Sequence, residues 1–223
     1  MALGQTLRAG ALLLAVAICA ASGCGLPDAR PDIPPPTDAD SSQTGRQFTF
    51  RVPESTVAPF RGVEVYYRFA EVGTVLDRFL ESNTDLLEQR FRRLASSNDR
   101  YPSPTLPLID QPGADVVVTV DFSGVTFGMD PVVTYLDRDG NARRLSLRRA
   151  VDQSDGQYER FACEEFDSDD DDVDGVVEEL ADTEDCEQVQ LQLYALSYGR
   201  TDVFTVYSDA LHLGAIDLTF GRP

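Results

Sequence analysis

The sequence has no tryptophan, no lysine and only one histidine among its 223 residues. A single histidine excludes the histidine-rich ligand sets of the usual catalytic zinc centres. His212 lies between Leu211 and Leu213 in an alternating segment, so it occupies the strand face opposite to theirs. There is no Gly-x-Ser-x-Gly turn to present a serine for nucleophilic attack, and no glycine loop of the phosphate-cradling kind. Because lysine is missing, all 19 basic residues are arginine; set against 38 acidic residues, they leave a formal charge of −19. That balance argues against nucleic acid as a partner, because phosphate binding needs a basic face. It argues equally against adhesion to anionic lipid by charge. Long apolar runs are also scarce. The most apolar stretch, Ala11–Ala20, is about half the roughly 20 residues that a bilayer core demands.

What that stretch does offer is an export signal. Arg8 and the amino terminus form a positive flank, Ala11–Ala20 the apolar segment, and Ala21-Ser-Gly23 a run of small residues before Cys24. This order reads as a signal peptide over residues 1–23. The Ala21-Ser-Gly-Cys24 stretch resembles the lipobox of bacterial lipoproteins, although Ala21 stands where that family more often has leucine. The resemblance implies that Cys24 is acylated, palmitate being a typical chain, and becomes the first residue after cleavage. Two or more acyl chains anchor a protein stably. The alternative is an ordinary secretory signal that leaves Cys24 free. Gly25 replaces the Asp that retains many lipoproteins in the inner membrane, so the resemblance favours the outer membrane, with the domain in the periplasm or outside the cell. Residues 24–46, rich in proline and small polar side chains, read as a disordered tether.

Residues 47–223 then form one domain, mainly β, an antiparallel sandwich. Phe48/Phe50/Val52, Val63/Val65/Tyr67/Phe69, Val116/Val118/Val120 and Val189/Leu191/Leu193 alternate with polar neighbours, the pattern of half-buried strands. Asp139-Gly140 marks a hairpin between strands at Val132–Leu136 and Arg143–Arg149. Val203–Tyr207 and Leu211–Phe220 complete the set, with Gly214 a candidate bulge. One helical insert is expected over about 74–97, where Leu76, Phe79, Leu80, Leu87, Phe91 and Leu94 recur at helical spacing. In an oxidising compartment Cys163 and Cys186 are expected to pair, closing a loop worth about 3 kcal/mol in chain entropy.

Two strands carry a further resemblance. Gly62-Val-Glu-Val-Tyr-Tyr-Arg68 is similar to the third strand of fibronectin type III-like domains, within the wider immunoglobulin-like class. Tyr194-Ala-Leu-Ser-Tyr-Gly199 with Val206-Tyr-Ser208 is similar to their final hairpin. Similar pieces occur in lipoproteins of spirochaete type. The resemblance implies a sandwich used for recognition or spacing rather than chemistry.

Residues 164–185, between the two cysteines, hold 13 acidic residues and no basic one. Asp170, Asp172 and Asp174 followed by Gly175 match the first half of an EF-hand loop, in which alternate carboxylates converge on calcium. Ala181 stands where the bidentate Glu belongs, so a solvated acidic loop is the competing reading, with no cofactor at all. Arg144, Ser146 and Arg148 would share a strand face, either as an anion patch or as ordinary surface.

Together these features suggest a membrane-anchored cell-envelope lipoprotein with a binding or structural role toward a protein or glycan, and not an enzyme. A carboxylate-based envelope hydrolase and a calcium-responsive module are the alternatives.

Overall fold

The computed structural model describes residues 32–54, 59–71, 83–88, 91–96, 105–121, 131–147, 149–152, 157–159, 173–174 and 189–217. The fold is mainly β: two sheets packed face to face as a sandwich. The first sheet runs β1 (Thr37–Ser42), β2 (Gln47–Arg51), β6 (Asp115–Asp121), β7 (Val132–Leu136) and β8 (Ala142–Ser146), all antiparallel. The second is built on two long central strands, β3 (Phe60–Glu71) and β12 (Val189–Arg200), paired in antiparallel fashion along almost their whole length. β4 (Arg92–Ser96) and β5 (Leu106–Pro107) extend it beyond β3, while β13 (Thr205–Tyr207) and β14 (Leu211–Asp217) both pair with the far edge of β12. Two pairings are parallel, β4 with β5 and β3 with the short β11 (Val173–Asp174). β9 (Arg149–Asp152) and β10 (Gln157–Glu159) form a separate hairpin.

The alternation read from the sequence accounts for the main core. Phe48, Phe50 and Val52 meet Val116, Val118 and Val120 from the neighbouring strand, and both face Val63, Val65, Tyr67, Phe69, Leu191 and Leu193 of the opposite sheet. Each fully buried aliphatic or aromatic side chain of this kind contributes roughly 1.5–3 kcal/mol by area. The β7–β8 hairpin closes as Asp139-Gly140 predicts, with Gly140 at φ 79. Asp137 shapes the turn: its carboxylate accepts from the backbone N–H of Asp139 and Asn141 and from the Arg143 guanidinium, which together hold it below the usual carboxylate range.

Gly214 is the bulge site. The β12–β14 register slips between Leu193 and Tyr194, opposite Gly214 and His212. Gly214 has φ 125, and a Cβ there would lie 2.5 Å from Ser41 Oγ of β1. Backbone strain and crowding act together, so Gly214→Ala is expected to destabilise the fold by about 1–3 kcal/mol. A chemical denaturation midpoint that stays unchanged would contradict this close approach of β1 to β14.

Three sequence expectations are corrected. The helical insert over about 74–97 reduces, among the described residues, to α1 (Asn83–Glu88), while Arg92–Ser96 is β4. The helical spacing arises because the apolar residues serve two layers. Leu86 and Phe91 pack on the outer side of the second sheet, Leu94 in the main core, and β4 gains backbone pairing with Val65–Tyr67. Second, the tether does not extend to residue 46: Ile33 is fully buried and Thr37–Ser42 is a paired strand. This edge strand is polar and mostly exposed, so it carries no hydrophobic alternation to read. It is held by its ladder to β2, by Ser197 Oγ donating to the Pro34 carbonyl (2.6 Å), and by Gln43, which bridges Ala215 O and Asp217 N. Third, β3 and β12 are not half-buried. Glu64, Tyr66, Arg68, Gln192 and Tyr194, on the face away from the main core, are buried as completely as their neighbours.

Candidate functional site: the hairpin end of the sandwich

Four connections gather at one end of the sandwich: the β2–β3 connection, the stretch before β6, the β7–β8 turn and the β12–β13 turn. Backbone bonds tie them together. Gly113 N–H donates to Val52 O, Arg200 N–H donates to Pro59 O, and the Gln111 side chain donates to Leu136 O. Tyr135 OH donates across the sandwich to Pro107 O at 2.7 Å, and burial pushes its pKa up to about 12, so it remains a donor at neutral pH. The backbone passes closely at this join: a Cβ on Gly199 would lie 3.1 Å from Pro59 O, a tight contact. The rim is charged: Arg51 pairs with Asp115 at 3.1 Å and with Glu54 at 3.2 Å, all exposed to solvent.

The β12–β13 turn projects from this end. Thr201 Oγ1 accepts from the N–H of both Val203 (3.2 Å) and Phe204 (3.0 Å), and Thr201 N–H donates to Phe204 O. These bonds define the tip without burying its side chains. Val203 is 86% exposed and Phe204 39%, and Leu136 is 59% exposed at the β7–β8 turn of the same end. Sequence reasoning placed Val203 and Phe204 in a strand. The structure starts β13 at Thr205, and Thr201-Asp202, both turn-forming types, is the signal that could have located the turn.

A second cluster lies on the outer face of the second sheet. Glu64 accepts from Tyr66 OH at 2.7 Å and Ser96 Oγ at 2.9 Å, and Arg68 Nε donates to Gln192 Oε1. The Arg68 guanidinium lies 4.6 Å from the Phe91 ring centre, and Phe91 meets Tyr194 edge-on at 5.1 Å. Burial and the Glu64 charge both raise the Tyr66 and Tyr207 pKa values, with Arg93 opposing, so the two hydroxyls remain protonated. Glu64 is the buried acid among the described residues and, at 1% exposure with its oxygens engaged, it is closed to substrate. This cluster orders the sheet rather than offering a surface.

His212 stands at the margin of that cluster, its ring 4.8 Å from Tyr194 and one side exposed. Desolvation lowers its pKa, the nearby Arg68 charge lowers it further, and a bond with the Gly214 backbone partly offsets both. The folded state therefore prefers the neutral ring. His212 contributes stability above the unfolded pKa of about 6.5, and that contribution is lost as pH falls through the folded value. The wild-type melting temperature is expected to fall more steeply than that of His212→Gln between pH 7 and 5; parallel curves would contradict the assignment.

The other sequence-predicted residues are placed as follows. Cys24, Cys163, Cys186, Asp170 and Asp172 lie outside the described residues. Asp174 is in β11, its backbone in parallel register with Ala70 of β3. Arg144 and Ser146 are exposed on β8, and Arg148 lies outside the described residues. Among the described residues no group of three or more His, Cys, Asp or Glu suits a metal ion, and no helix is long and apolar enough to cross a membrane. No protein family, no curated protein and no solved structure matches the chain.

Proposed function

We propose that this chain is a lipid-anchored cell-envelope protein, acylated at Cys24, whose sandwich has a binding role exercised through its hairpin end. The observation that carries the binding role is the Val203–Phe204 tip, where the bonds to Thr201 hold Val203 almost wholly in solvent and leave Phe204 partly exposed. Covering exposed apolar groups on a defined turn is favourable, so such a tip suits contact with a partner. The fibronectin type III-like reading is supported by strand order. The third strand β3 shares a sheet with β12 and β13, as the corresponding strands do in immunoglobulin-type sandwiches, where the turn equivalent to β12–β13 belongs to the recognition end. The anchor is supported by the Ala21-Ser-Gly-Cys24 sequence.

The test is a photoreactive amino acid at position 204 in intact cells, with one at Thr44, in the opposite β1–β2 turn, as control. A discrete adduct from position 204 and none from 44 is the expected result. Equal, diffuse labelling at both would remove the hairpin end as the binding surface.

A further inference from the structure

We draw no further inference here: the strongest candidate, the exposed outer edge of β8 at the end of the first sheet, with the Arg144 side chain beside it, carries nothing, because nothing in the structure shows what covers it.

Discussion

Phe91→Ala is expected to destabilise the protein by about 3–5 kcal/mol, the cost of removing a fully buried aromatic ring. The effect should sit at the upper end of that range because the ring serves two neighbours. It covers the Arg68 guanidinium at 4.6 Å, and it packs edge-on against Tyr194. Truncation opens a cavity and leaves a buried cation with one side uncovered; the cation–aromatic contact alone is worth about 0.5–2 kcal/mol. Phe91→Leu separates the contributions, since it keeps most of the apolar volume and loses the ring. Urea denaturation should show a large fall in midpoint for the alanine variant and a much smaller one for leucine. If alanine cost under about 1 kcal/mol, Phe91 would be a surface residue in solution and the outer cluster would not be part of the fold.

The second large effect concerns residues 32–46. A chain beginning at Gln47 loses Ile33, the whole of β1 and the Gln43 bridge to β14. The buried isoleucine by itself is worth about 2–5 kcal/mol, against a typical total of about 5–15 for a domain of this kind. Such a chain is expected to melt far below one beginning at Asp32, or to show no cooperative transition. Equal melting temperatures would return residues 32–46 to a tether. Ile33→Ala in the longer chain, compared with a change at the exposed Pro35, makes the same comparison without altering length.

These two regions also mark where sequence reading succeeds and where it stops. The inner faces of β2, β3, β6 and β12 were legible because burial on one face imposes a period of two, and the Val, Phe and Tyr side chains follow it. The Asp139-Gly140 turn and the Gly214 bulge were legible because backbone conformations of positive φ admit few residue types. β1 was not, because Thr37–Ser42 is an edge strand whose exposed side chains carry no pattern, and part of what holds it lies some 170 residues away in β14. β4 was misread because Phe91 and Leu94 go to different sides of the sheet, and a one-dimensional period cannot separate two cores. The outer-face residues Glu64, Arg68 and Gln192 look like solvent-facing polar positions in sequence; only their mutual hydrogen bonding explains their burial. At the hairpin end, the strand run containing Val203 was visible, but its exposure was not, since apolar residues near a turn are more often core.

We propose that the protein is held to a membrane through Cys24. The most direct measurement is mass spectrometry of the amino-terminal peptide of the protein isolated from a bacterial host's membrane fraction, beside a Cys24→Ser variant. The expected result is a peptide that begins at Cys24 and carries diacylglycerol on the sulfur and an acyl chain on the amine, with the serine variant lost from the membrane. A peptide that begins elsewhere, or at Cys24 with a free thiol, would contradict it.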